Sequence, residues 1–159
     1  MELNNQATRE IIAKTICGSG FKVIEYNQYI ELPKDILPSR IMGCTITNVE
    51  KPKALKWKVP ENNRYYVPVK GSVNIDAWYA FNDGHDTSVV STTIVYHENI
   101  PILERSGKPI GSVVATAEMD EDPKVADVGL EGNKIRITVL IKISTVVMGD
   151  SRLMVEVME

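Results

Sequence analysis

The segment VKGSVNIDAWYAFNDGHDTSVVSTTIVYHE, residues 69–98, decides which fold the chain is expected to adopt. Apolar and polar residues alternate through its first half, which predicts a half-buried strand. One face collects Val69, Gly71, Val73, Ile75, Ala77, Tyr79 and Phe81, and the other collects Lys70, Ser72, Asn74, Asp76 and Trp78. The turn-rich residues NDGHD follow, and Asp83-Gly84 supplies the positive φ angle that a tight hairpin needs. Residues 87–98 then return as the partner strand, so the segment predicts an antiparallel hairpin.

Two-residue periodicity also marks much of the remaining chain. Residues 21–32, 40–50 and 112–119 are rich in residue types that favour an extended backbone. Near the end of the chain one predicted strand face is formed by Ile135, Ile137, Val139, Ile141, Ile143 and Val147. The residues MGDS at 148–151 predict a turn, and Leu153, Val155 and Val157 predict a returning strand. We therefore expect a long terminal hairpin.

The first element is predicted to be a short helix over about residues 7–17. Ile11, Ile12, Thr15 and Ile16 recur at helical spacing, Asn4 or Asn5 can cap the start, and GSG at 18–20 can end it. With seven to nine strands after this helix, the pattern is typical of a mainly all-β protein. We expect an antiparallel β-sandwich, with a partly open β-barrel as the alternative. Residues 1–159 are expected to form one domain, with a β core over about 21–158.

Composition excludes several classes of protein. The chain has 159 residues, of which 43% are hydrophobic and 25% charged, as in ordinary globular proteins. A net charge of -3 argues against nucleic-acid binding, because nucleic-acid binders normally gather a basic excess on one face. The densest basic run, KPKALKWK at 51–58, is interpreted as a solvated loop or an edge strand.

The sequence also indicates where the protein is found. It contains no apolar run long enough to cross a bilayer, and its N-terminus lacks the features of a secretion signal. We therefore expect no membrane insertion and a cytoplasmic protein. Cys17 and Cys44 are too few for a disulfide framework and are interpreted as small buried residues, with a disulfide as the alternative.

No catalytic group of residues emerges, so neither an enzyme nor a cofactor is predicted. His85 lies in the predicted turn and His97 near the end of the next strand, which places them at opposite ends of a hairpin arm and argues against a shared metal site. The acidic residues of NDGHD and of DEDPK, at 120–124, are interpreted as loop tips, with a calcium site as the alternative. Trp78 lies on the polar face of its strand and marks a candidate binding surface, unless the second sheet or the helix covers it.

Several segments, in the same order, resemble the CotE family of spore outer-coat morphogenetic proteins of endospore-forming bacteria. No segment is a sharp motif alone, and the ordered set, which spans about residues 9–157, is more specific than any member. The segments are REIIAK (9–14), IMGCTITN (41–48), VKGSVNIDAWYAF (69–81), DTSVVSTTIVYHENI (86–100), EGNKIRITV (131–139) and GDSRLMVEV (149–157).

The resemblance implies a structural protein that is not an enzyme. It would be made in the mother cell, assemble on the spore surface as part of the outer coat, bind copies of itself and recruit other coat proteins. Trp78, Tyr65 and Tyr66 are the candidate contact residues. Family members commonly carry a long acidic C-terminal tail, whereas this chain stops at Glu159, so any role of such a tail is not expected here. The competing hypothesis is a carbohydrate- or calcium-binding β-sandwich module.

Overall fold

The computed structural model describes residues 6–56, 65–104 and 110–158, and it is built from eight strands paired in antiparallel fashion. In chain order the strands are β1 (Gln6–Glu31), β2 (Pro38–Val49), β3 (Lys53–Ala54), β4 (Tyr65–Phe81), β5 (Asp86–Glu104), β6 (Ile110–Met119), β7 (Lys124–Glu131) and β8 (Lys134–Met158). They form one open, curled sheet, a half-barrel. The expected antiparallel all-β architecture is therefore confirmed.

The sheet has two halves that meet through a short ladder. Strands β2, β4 and β5 lie side by side with β3 on β4, and strands β1, β8 and β6 lie side by side with β7 on β8. The halves join where β5 pairs with β1, at Gly18↔Glu104 and Ser19↔Leu103. Because this junction is only two residue pairs long, the packing of side chains inside the curl must hold the halves together.

The central hairpin forms as predicted. Strands β4 and β5 pair without interruption from Phe81↔Asp86 to Tyr65↔Ile102. Asn82, Asp83 and Gly84 have φ angles of 51°, 56° and 85°, which are the positive values expected of the turn. Every second residue of β4 from Val67 to Tyr79 is buried, so the alternation in the sequence does mark the core face.

The predicted N-terminal helix is wrong, because residues 6–31 form the single long strand β1. The isoleucines and threonine that suggested helical spacing are β-branched, and such residues fit a pleated surface better than a helix. β1 pairs with β8 along its whole length, from Gln6↔Met158 to Glu31↔Lys134. A bulge between Ile16 and Gly18 reverses which side chains face the core. Long-range pairing therefore overrides the local pattern.

The predicted terminal hairpin is also wrong. β8 continues straight through residues 148–151, where Asp150 pairs with Lys14 of β1 and also with β6. The second half of β1, which pairs with residues 134–147, takes the position beside β8 that the returning strand was expected to fill. The turn next to β8 instead lies at its start, between β7 and β8, where Gly132 has a φ of 63°.

The core lies on the inner face of the curl. Alternate residues of β8 supply much of it, and they meet the inner faces of β4 and β5. Its largest fully buried side chains are Tyr96, Ile75, Ile100, Ile135, Ile137, Ile141, Ile143, Val67, Val69, Val73, Val139 and Val147. Fully burying one such side chain contributes about 1.5–3 kcal/mol, so this interior is the main stabilising feature of the fold.

The structure also places the two cysteines and part of the basic run. Cys17 is buried at the bulge of β1 and Cys44 is half-buried in β2, and both are thiols. Lys53 and Ala54, within the basic run, form the short edge strand β3, whereas residues 57 and 58 of that run lie outside the described residues. In the described ranges, we find no helix that is long and apolar enough to span a bilayer.

Candidate interaction surfaces

Trp78 lies on the outer face of β4 with 37% of its surface exposed. Its neighbours in register are Gly43 on β2 and Val89 on β5. A Cβ atom at Gly43 would lie 3.6 Å from the indole Cε3, so the ring rests against the backbone of the edge strand. Trp78 is therefore partly covered by β2 but still available to a partner, as an amphipathic anchor would be.

Tyr65 and Tyr66 lie at the other end of the same strand. Both are half-buried, and they pair in register with Ile102 and Pro101 of β5. Twelve or more residues separate them from Trp78, which is about 40 Å along a strand. The three aromatic residues predicted to make contacts are thus distributed over two ends of the molecule and do not form one site.

The acidic loops engage their own neighbours. In the NDGHD turn, Asn82 Nδ2 donates to Asp86 Oδ2 at 2.5 Å. In the loop before β7, Glu121 accepts a hydrogen bond of 3.2 Å from Lys142, and its carboxylate lies 3.5 Å from the ammonium group of Lys124. Lys142 and then Lys124 lower the pKa of the Glu121 carboxyl. Across the described parts of the chain, no group of three or more histidine, cysteine, aspartate or glutamate side chains is placed to hold a metal.

An open cleft separates the edge strand β2 from the start of β7. Its volume is about 500 Å³, and it is lined by Cys44, Thr45, Ile46, Val49, Asp122, Pro123 and Val125. Burial, with a smaller contribution from Asp76, raises the pKa of the Cys44 thiol. The thiol is therefore held in its protonated form, which is the less nucleophilic one.

A charged cluster bridges the two halves where β1 and β5 separate. Tyr26 donates a hydrogen bond of 2.6 Å to Glu98, and the ammonium group of Lys22 lies 3.0 Å from the same carboxylate. The hydrogen bond from Tyr26, followed by that from Lys22, lowers the pKa of Glu98 against the opposing effect of burial. These bonds connect strands that have no backbone ladder at this level, so the cluster fixes the spacing of the two halves.

Glu98→Gln is expected to lower the free energy of unfolding near neutral pH by about 1 kcal/mol, because it removes a charge-assisted acceptor. A depressed pKa in the folded state means that the carboxylate contributes stability above its unfolded pKa and loses it as the pH falls through the folded pKa. The difference between wild type and variant should therefore shrink below the ordinary glutamate pKa of 4.5. Urea unfolding curves at a series of pH values measure it, and a constant difference down to low pH would contradict this role.

The outer face of β1, β8 and β6, together with the end of β5, carries an apolar surface that the sequence did not reveal. Ile16, Met148 and Val114 are register neighbours across β1, β8 and β6. Leu103 pairs with Ser19 in the adjacent row, and Phe21 lies on the same face one row further along. We call these five residues the apolar band, and their exposed fractions are Ile16 41%, Phe21 56%, Leu103 78%, Val114 59% and Met148 38%.

The outer face of β4 and β5 has a different character. Ser91 donates to Asp76 at 2.5 Å, and Thr93 donates to Asn74 at 2.8 Å. These cross-strand bonds pair polar groups within the sheet, as on a solvated face. The part of the outer face around these bonds is therefore more polar than the apolar band, although Trp78, Val89 and Val95 are also exposed on β4 and β5.

Comparison with known proteins finds one family. A family model described as outer spore coat protein E (CotE) matches residues 7–159, which is nearly the whole chain. No curated protein and no solved structure gives a significant match. The matched range contains every strand from β2 to β8 and all but the first residue of β1.

Proposed function

Because the chain belongs to the outer spore coat protein E (CotE) family, we propose that it is a non-enzymatic structural protein that binds copies of itself and recruits other coat proteins. Family membership implies a protein of the spore outer coat. The proposal goes beyond the outer coat in three respects: synthesis in the mother cell, self-association and recruitment of other coat proteins. The observation that supports them best is the amount of apolar surface left on the outside of the half-barrel.

A layer around a spore requires each copy to make more than one contact. Several modest contacts retain a protein far better than one, because each additional contact forms at high effective concentration. The apolar band and the surface around Trp78 are separated along β5 by the stretch from Val89 to Leu103, which is roughly 45 Å of strand. Two separated contact surfaces on one copy suit an extended assembly. We propose Trp78 as one contact residue, and Tyr65 and Tyr66 as further ones.

Trp78→Ala is expected to reduce the size of the assemblies, because it removes a proposed contact residue. The variant should still fold, because the indole is partly exposed on the outer face. Light scattering after size exclusion measures the molar mass of wild type and variant at equal concentration. Tyr29→Ala, which removes another exposed aromatic side chain, serves as the control and should leave the mass unchanged.

The same proteins fused to a fluorescent protein test the cellular part of the proposal. In a sporulating cell the wild-type fusion should collect around the developing spore. Fluorescence that stays diffuse in the mother cell would contradict the proposal, as would a wild-type protein that remains one copy at tens of micromolar.

A further inference from the structure

We propose that the apolar band is the contact between two copies of this chain, related by a two-fold axis that lies in the contact plane, parallel to β1 and β8 and over the gap between them. This inference rests on the proposed self-association and names the surface that carries it. The outer face of the sheet in one copy would pack against the same face in the other copy, as sheets do in aligned sandwiches.

The extent of the band is compatible with a real contact. Its five side chains expose on the order of 500 Å² of surface, which is as large as the largest apolar patch on a typical monomer. A standard protein interface covers about 800 Å² on each partner. Lys14 and Asp150, in the row next to Ile16 and Met148, and Thr116, in the row of Leu103, supply remaining area as polar surroundings of the band.

The charges at the rim indicate that the partner is a second copy. Lys14 on β1 and Asp150 on β8 are register partners, and both are exposed on the same face as Ile16 and Met148. Rotation about the proposed axis exchanges the positions of β1 and β8. Lys14 of each copy then lies over Asp150 of the other, and Ile16 lies over Met148. The surface is therefore complementary to itself in charge and in apolar character, as an isologous interface requires.

A charge placed in the band tests the surface. Val114→Asp is expected to weaken association at least tenfold, because the carboxylate would be buried against Leu103 or its neighbours without a partner. Val95→Asp is the matched control: Val95 is 75% exposed on the outer face of β5, among polar residues, and its replacement should leave association unchanged. Circular dichroism and thermal melting establish that both variants fold.

Charge reversal tests the symmetry. Lys14→Glu alone and Asp150→Lys alone should each associate less than wild type, since each places like charges opposite one another in a pair. An equimolar mixture of the two variants should associate again. In a mixed pair the new carboxylate at position 14 of one copy faces the new ammonium group at position 150 of the other, and the unchanged Lys14 and Asp150 face each other. Light scattering on the single variants and on the mixture provides the measurement.

The outcomes separate the two levels of the proposal. A wild-type protein that stays one copy overturns self-association itself. Wild-type assemblies that Val114→Asp leaves intact, or that Val95→Asp disrupts equally, overturn the band as the contact while self-association stands. A mixture of the charge-reversed variants that remains as weak as its components overturns the two-fold arrangement.

Discussion

Gly20→Ala is expected to lower the free energy of unfolding by about 3 kcal/mol or more, the largest single effect that the structure predicts. A Cβ atom at Gly20 would overlap the carbonyl oxygen of Pro101 and would lie 2.9 Å from Cδ1 of Ile102. The Pro101 oxygen is a backbone atom, so it cannot rotate away as a side-chain atom can. The position also follows directly on the Gly18–Ser19 ladder that joins the two halves, so any displacement separates β1 from β5.

Gly43→Ala is the matched control for this prediction. A Cβ at Gly43 meets only Cε3 of Trp78, at the ordinary contact distance of 3.6 Å. Alanine also restricts the unfolded chain more than glycine does, so this variant should change stability by less than about 1 kcal/mol. Chemical unfolding of both variants is the measurement. Equal and small effects would mean that β1 and β5 do not approach as closely as the structure shows.

Gly71→Ala is expected to cost about 1–3 kcal/mol for a related reason. The new methyl group would overlap Oη and Cζ of Tyr96 and would lie 2.9 Å from its Cε1. Both residues are buried on the inner face, where close packing leaves the ring little room to move. Glycine at position 71 is thus what allows a tyrosine to lie across β4.

Tyr96→Phe tests the same contact from the side of the tyrosine. The Tyr96 hydroxyl has no hydrogen-bond partner among the described residues, and burial, with a smaller contribution from Glu50, raises its pKa to about 12. Removing a buried hydroxyl that lacks a partner should leave stability unchanged or raise it. In the double variant, Tyr96→Phe should recover part of the loss caused by Gly71→Ala, because the overlap with Oη disappears and the overlap with Cζ remains.

A double-mutant cycle measures that recovery as a coupling energy between the two positions. Residues in direct contact usually couple by about 0.5–3 kcal/mol. Strictly additive effects of Gly71→Ala and Tyr96→Phe would show that the ring does not lie over Gly71.

The parts of the fold that could be predicted are those encoded locally. The hairpin from β4 to β5 combines clean alternation with a turn sequence, and both signals are contained within residues 69–98. The N-terminal strand could not be found in the same way. Ile11, Ile12, Thr15 and Ile16 match a helical period, and the pairing that makes them a strand comes from residues 147–158, at the other end of the chain.

The apolar band was hidden for two physical reasons. Its five residues come from four strands and span positions 16 to 148, so no local window contains the pattern. In addition, the bulge at Cys17 decides that Ile16 and Phe21 share a face, because without it an even and an odd position would point to opposite sides. Trp78, by contrast, can be predicted from the sequence as an exposed aromatic residue, because it lies on the polar face of a regular alternation.

The molar mass of the wild-type chain and of Val114→Asp, measured by sedimentation equilibrium over a range of concentrations, tests the apolar band most directly. If the apolar band joins copies of the chain, the wild type should form species of two or more copies that grow with concentration. The folded Val114→Asp variant should sediment as one copy or dissociate at much higher concentration. A wild-type protein that sediments as one copy throughout, or a variant that is indistinguishable from it in assembly, would contradict the claim that the apolar outer surface of this half-barrel joins copies of the chain.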